Sequence, residues 1–226
     1  MNFAGVKSIT IPEGDVKRIA IGGVTVWTKP NPLPYDAEVE WVEMPRFAYV
    51  DSLFAFMPTT TFRASLGQST FSSWANVLGT PTSAGGFYLF TNSGSIAGSL
   101  NGANQTYSGK SLQGSPIFCE LVISSGQHRP VIGGTMFSGR ATFASTNEEN
   151  VRIGPWSGGK SDESIKCYSA SISDSGILVR DFVPVRVGTV GYLYDRANPT
   201  GGPSGNGLYG SATSTPLVAG PDENGG

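Results

Sequence analysis

The amino-acid sequence predicts an all-β protein, a two-sheet antiparallel sandwich of jelly-roll type preceded by a small N-terminal β-hairpin module. Three observations point there. Short apolar runs recur at strand length, among them FAYVDSLFAF, PIFCELVIS, SIKCYSASIS and ILVRDFVPVRV. Clusters of Gly, Pro, Ser, Thr and Asn separate them, as turns between strands require. No stretch holds apolar residues at i, i+3, i+4 and i+7 for long enough to make an amphipathic helix. With 31 Gly and 15 Pro in 226 residues, many turns are expected, and the length suits one large β-domain with a small appendage.

The elements follow in order. Residues 1–29 form a small β-module: VKSITI is a strand, PEGD a turn, and VKRIAI and VTVW are strands joined by Gly22-Gly23. A two-residue Gly-Gly link between alternating apolar runs is a strong hairpin signal, since both positions take φ > 0 freely. Pro30, Pro32 and Pro34 stiffen residues 30–34 into a linker, because proline cannot donate to a ladder. Residues 35–222 make the sandwich. Alternation there puts Ile165 and Cys167 on one face and Lys166 and Tyr168 on the other. Asp174-Ser175-Gly176 is a further hairpin turn. From about Arg196 the chain becomes an irregular ribbon rich in Gly, Pro and Ser, pinned by Leu208, Tyr209, Leu217 and Val218, and residues 223–226 are a tail.

Composition excludes some functions. Net charge is −2 with 15 Lys+Arg and no basic cluster, so a phosphate-tracking nucleic-acid surface is not expected. No run approaches a membrane span, and MNFAGVKSITIPEG has no basic segment followed by an apolar one. The expectation is a protein made in a host cytoplasm without a signal peptide or membrane insertion. Cys119 and Cys167 sit in apolar strand-like runs and read as two buried thiols, although spacing alone leaves a disulfide open.

Candidate chemistry is sparse. His128, the single histidine, lies in the polar stretch SSGQHRP and reads as an exposed turn residue; no CxxC, HxxxH or HExxH accompanies it. The stretch from Gly154 to Ser161 matches a phosphate-binding loop in spacing, but Pro155 and Trp156 are bulky where backbone amides would have to wrap a phosphate, and a strand follows instead of a helix. No cofactor is called for, and the Asp and Asn residues of the loops neither require Ca2+ nor forbid it. EVEWVE carries Glu38, Glu40 and Glu43, an arrangement some jelly-roll glycanases use for nucleophile and acid. In a regular strand Glu38 and Glu40 share one face, while Val39, Trp41 and Glu43 share the other, so the carboxylates meet only if a bulge intervenes. Charges on a first or edge strand discourage sheet-to-sheet pairing, and EVEWVE is read that way. The remaining candidates are Trp74, Tyr107 and Trp156, rings set among small polar residues. One ring face is apolar and the neighbours hydrogen-bond, which suits sugars; each ring could equally cap an end of the core.

Several stretches match a known family. Glu40-Trp41-Val42-Glu43 and Ala48-Tyr49-Val50-Asp51 resemble the opening of concanavalin A-like (laminin G-like) domains of phage and prophage proteins, with Met44-Pro45-Arg46-Phe47 in place of that opening's Gly-Thr pair. Ile165-Lys166-Cys167-Tyr168-Ser169, then Gly176-Ile177-Leu178-Val179-Arg180-Asp181-Phe182-Val183-Pro184, resemble its closing motif, which Gly188–Asp195 and Gly220-Pro221-Asp222 continue. The resemblance implies a non-enzymatic virion protein of a bacteriophage, in a tail fibre, a tail-associated position or a capsid-surface decoration. It also implies a lectin-like domain that adheres to host or mucosal glycans. The N-terminal module would dock on other virion proteins, and the chain would form a homo-oligomer. Two further readings stand beside it: an architectural decoration or assembly protein, and a glycoside hydrolase using Glu38, Glu40 or Glu43.

Overall fold

The computed structural model describes residues 18–21, 24–28, 33–70, 74–81, 86–92, 95–141, 149–156 and 164–223. The chain divides into two compact units, Met1–Leu33 and Pro34–Gly226. In the first, β1 (Arg18–Ile21) and β2 (Val24–Thr28) are antiparallel, with Ile21 opposite Val24. The expected VKSITI strand, the PEGD turn, the Gly22-Gly23 link and two of the linker prolines, Pro30 and Pro32, lie outside the described residues, as does most of the stretch weighed as a phosphate loop.

The second unit is an antiparallel β-sandwich, and no helix occurs among the described residues. Its strands are β3 (Ala37–Glu38), β4 (Val42–Pro45), β5 (Val50–Ala55), β6 (Thr60–Thr70), β7 (Trp74–Gly79), β8 (Phe87–Asn92), β9 (Ser95–Leu100), β10 (Ala103–Tyr107), β11 (Ile117–Ser124) and β12 (Gln127–Ile132). There follow β13 (Thr135–Met136), β14 (Arg140–Ala141), β15 (Asn150–Ile153), β16 (Ser164–Asp174), β17 (Ile177–Val187), β18 (Val190–Asp195), β19 (Leu208–Tyr209) and β20 (Leu217–Ala219). One sheet has the order β10-β9-β8-β7-β15-β5. The larger sheet runs β13-β12-β11-β6-β16-β4-β20-β18-β17-β3, with β14 on β12, β19 on β18, and an added β16–β17 pairing.

Turn chemistry sets these registers. Ser175 (φ 50°) and Gly176 (φ 78°) form a two-residue loop between Asp174 and Ile177, the left-handed pair a tight hairpin of right-twisted strands demands. The same device joins β9 to β10 through Asn101-Gly102 and β11 to β12 through Ser125-Gly126. The long strand β16 shows how alternation is kept and then broken. Ile165 and Cys167 point inward, Tyr168 and Ser169 both point outward across a register shift, and Ala170 and Ile172 point inward again. That bulge keeps an apolar face on the core along all of β16.

The core lies between the sheets. Phe62 of β6 meets Phe87 of β8 at 5.1 Å between ring centroids, and Phe182 of β17 takes Tyr209 edge-on at 5.0 Å. Each such side chain, fully buried, contributes about 1.5–3 kcal/mol from removal of apolar surface from water. His128 belongs to this core and not to a turn, which corrects the expectation from its polar neighbours. The turn is Ser125-Gly126; His128 already lies in β12, whose inward positions are His128, Pro130 and Ile132. Its Nε2 donates to the Thr60 carbonyl at 3.2 Å, and its ring packs against Phe56.

EVEWVE is not one strand. β3 ends at Glu38 and β4 begins at Val42; between them the chain bridges the C-terminal segment, with Val39 opposite Asp222, Glu40 N–H donating to Pro221 O, and Gly220 N–H donating to Trp41 O. The break shifts parity, so Val39, Val42 and Met44 are all buried. Trp41 and Glu43, placed with Val39 by simple alternation, instead turn outward. The indole carries the Lys166 ammonium 3.8 Å above its ring, and a Cβ on Gly220 would lie 2.7 Å from it. The three carboxylates do not converge as catalytic partners. Glu38 holds Arg196 and receives the Tyr35 hydroxyl, Glu43 receives the Ser164 hydroxyl, and Glu40 is exposed.

Candidate functional site

Of the residues singled out for sugar contact, Trp74 lies on β7, Tyr107 on β10 and Trp156 just beyond β15, all three strands of the smaller sheet. Tyr107 is fully buried: it occupies the inward position of β10 opposite Ile96, its ring lies 4.7 Å from that of Phe137, and burial pushes its phenol pKa up. It cannot meet a ligand, which corrects the expectation drawn from NQTYSG. Trp74 opens β7 opposite Asn92, and its side chain is outside the described residues. Trp156 is half-buried beyond β15. Neither Tyr107 nor Trp156, and none of Glu38, Glu40 or Glu43, is among the described residues that line the groove described next.

A groove of about 730 Å³ opens where the C-terminal ribbon crosses from the larger sheet to the β5 edge of the smaller one. Its floor comes from two strands. Along Tyr49–Leu53, Ala48, Val50 and Ser52 face the core, which leaves Tyr49, Asp51 and Leu53 facing out, and all three line the groove. On β18, Leu193 faces the core and Tyr192 the groove. The ribbon supplies the wall with Pro203, Asn206, Leu208 and Ser211.

Local chemistry holds this wall in place. Asp195, fully buried at the end of β18, accepts the backbone N–H groups of Asp181, Ala197 and Asn198 on Oδ1 and so starts the ribbon. Tyr209 and Leu217 are buried and pin it; Leu208 turns to the groove and Val218 to solvent, so only two of the four expected pins serve as such. Ala212 N–H donates to Tyr49 O at 2.8 Å, tying ribbon to floor. At its end, Asp222 receives Arg186 through both carboxylate oxygens, which holds the Asp222 carboxyl below its usual range.

The two rings are also held. The Arg152 guanidinium sits over Tyr49, 4.8 Å from the ring centroid. Gly210 backs Tyr192 so closely that a Cβ there would lie 3.0 Å from Cε1. Asp51 Oδ1 accepts Leu53 N–H at 2.9 Å and Asn150 Nδ2 at 2.8 Å. Restrained rings, a fixed carboxylate and apolar walls make a preorganised site of the size small ligands use. Among the described residues no group of three or more His, Cys, Asp and Glu side chains is placed to hold a metal ion. Tyr49, Asp51 and Tyr192 are not among the residues that the sequence marks for sugar contact. Strand alternation could have found them, since each is polar and next to a core residue.

No family model matches the chain, and no curated protein sequence matches it. Solved structures do resemble it. A candidate carbohydrate-binding protein of Bacteroides ovatus ATCC 8483 aligns with TM-score 0.55 at 12% identity, over 81% of this chain and 60% of that one. The receptor-binding domain of botulinum neurotoxin D aligns at TM-score 0.44 and 12% identity, over 70% and 48%. Sheep galectin-11 aligns at TM-score 0.36 and 10% identity, over 57% and 99%. The chain thus spans about 60% of the length of the first of these. At 12% identity that likeness is one of fold, an antiparallel β-sandwich.

Proposed function

We propose that the sandwich binds a glycan in this groove, and that the chain is a structural protein of a bacteriophage or prophage virion which presents it to host-surface or mucosal sugars. One observation carries the binding reading: Tyr49 and Tyr192 share an open groove with Asp51, Asn206, Ser204 and Ser211. Apolar ring faces beside a few fixed polar groups match the two-sided chemistry of a sugar. The carbohydrate-binding description of the Bacteroides ovatus neighbour is in keeping with it. The virion setting rests on the resemblance of the Glu40–Asp51 and Ile165–Pro184 stretches to phage-borne domains. In that setting the first unit docks on other virion proteins, and repeated copies raise the avidity of a weak site.

A glycan array probed with the full chain, followed by titration of any hit, tests the binding reading. Binding that falls about tenfold or more in Tyr49→Ala and Tyr192→Ala supports it, a loss of about 1.4 kcal/mol. Binding unchanged in both variants refutes the groove, and no binding to any glycan refutes the function.

A specific feature favours an architectural reading as the second choice. Phe118 and Met136 are each about half exposed (53% and 52%) on the outer face of the larger sheet, an apolar surface that suits packing against a neighbouring subunit. A map of assembled particles with both residues inside an interface and the groove occluded would select that reading.

A further inference from the structure

We infer that the groove takes an uncharged sugar and that Asp51 is the residue that selects it, by accepting ligand hydroxyls on its carboxylate. The inference rests on the glycan reading above and narrows it to a class.

Among the described residues Asp51 is the only charged side chain on the groove lining. Both of its protein hydrogen bonds fall on Oδ1, from Leu53 N–H and Asn150 Nδ2. They fix the carboxylate, while Oδ2 receives no donor among the described residues. Arg152 is the cation placed to neutralise it, since it stands opposite Asp51 in the β15–β5 register. Its guanidinium instead lies over Tyr49, and among the described residues Asp51 enters no ion pair. The groove therefore presents a carboxylate that no ion pair among the described residues engages, with acceptor capacity on Oδ2.

The ligand chemistry follows. A carboxylate only accepts, and sugar hydroxyls donate, so Asp51 favours a ligand with neighbouring hydroxyl groups. A ligand carboxylate or sulfate brought beside it would meet a like charge that no lining cation offsets, which is discrimination by repulsion. The facing wall is suited to the rest of a neutral sugar. Asn206 spends Oδ1 on Leu208 N–H, leaving its Nδ2 to donate. Leu53, Leu208, Pro34 and Pro203 cover the apolar C–H faces.

The test is a titration of the full chain with neutral hexose and N-acetylhexosamine oligosaccharides, their sialylated and sulfated counterparts, and a uronic-acid polymer. Binding is expected for neutral members only. Asp51→Asn, whose amide oxygen can still accept from Leu53 and Asn150, is expected to lose about tenfold or more in affinity for the neutral ligand and to narrow the gap to the sialylated form. Val187→Lys, on the exposed rim, keeps the inference falsifiable if Asp51→Asn folds poorly: it should admit the sialylated form by supplying a cation. Equal binding of neutral and sialylated forms by the unmodified protein overturns the charge selection while leaving the glycan function standing. Full neutral-ligand affinity in a folded Asp51→Asn overturns the role of Asp51. No binding in any arm overturns this inference together with the function it rests on.

Discussion

The guanidinium of Arg180 and the carboxylate of Asp195 face each other at 3.6 Å inside the protein, and Asp195 is completely buried. The pair is a joint between sheets. From β17 in the larger sheet, Arg180 donates through Nε to Ser52 O at 3.0 Å and through Nη2 to Leu53 O at 3.3 Å, both on β5 of the smaller sheet. It thereby covers carbonyls at the β5 edge, next to the groove floor. Asp195 meanwhile gathers the first backbone amides of the ribbon.

Removing both partners should therefore cost less than the two single losses added together. Arg180→Met leaves a buried carboxylate without its cation and is expected to cost about 3–5 kcal/mol in denaturant unfolding. Asp195→Asn keeps an oxygen for the three amides and should cost less. The double variant should be more stable than the sum of the single losses predicts, with a coupling of about 1 kcal/mol or more. Additive losses would show that the two residues act separately.

Gly210 predicts an effect on binding without one on folding. Its backbone lies against Tyr192, where an added Cβ would sit 3.0 Å from the ring and displace it by a few tenths of an ångström. Gly210→Ala should weaken a groove ligand roughly tenfold while unfolding at an unchanged denaturant midpoint, because a ring shifted slightly loses contact geometry but little burial. A fall in stability with intact affinity would place the role of Gly210 in folding instead.

Much of the fold could be read in the sequence because the signals are local. Gly and Pro punctuation marked the strand ends, and Ser175-Gly176 forms the tight turn its chemistry demands. Alternation placed Ile165 and Cys167 in the core. What alternation alone could not show is where parity breaks. The break at Glu40-Trp41 depends on pairing with residues 220–222, far away in sequence, and it reverses the expected faces of Trp41 and Glu43. The site was hidden for the same reason. Tyr49 and Tyr192 line one groove because the ribbon ties distant strands together, whereas Tyr107 drew notice through polar neighbours in sequence but packs against Phe137 in the core.

His128 predicts a pH dependence with a definite sign. Burial, the largest influence, lowers its pKa below the usual 6.5, although the hydrogen bond to Thr60 opposes this in part. A depressed histidine pKa means that the unfolded chain binds the proton more readily. Its contribution to stability is therefore complete above about pH 6.5 and is lost as pH falls from there towards the lowered folded value. The unfolding free energy of the wild type should drop between pH 7 and 5 more steeply than that of His128→Gln. Parallel slopes would exclude the histidine as the source.

The two cysteines give the last prediction. Cys119 of β11 lies opposite Ala64 of β6, and Cys167 of β16 lies opposite Leu66 on the other side of β6. A whole strand thus separates them. Two strand spacings of about 4.8 Å, with a two-residue offset of about 6.6 Å along β6 between Ala64 and Leu66, put their Cα atoms about 11–12 Å apart, beyond the roughly 7 Å a disulfide can span. Burial also pushes both thiols up to about 12, so almost no thiolate exists at neutral pH. The native protein should bind no thiol reagent over the time in which an exposed cysteine reacts completely, and should take up two equivalents once unfolded. A reducing agent should leave its melting temperature unchanged. Labelling of the folded protein would show that the sandwich opens around β6, and a melting temperature lowered by reductant would show that the strands can part far enough for the sulfurs to bond.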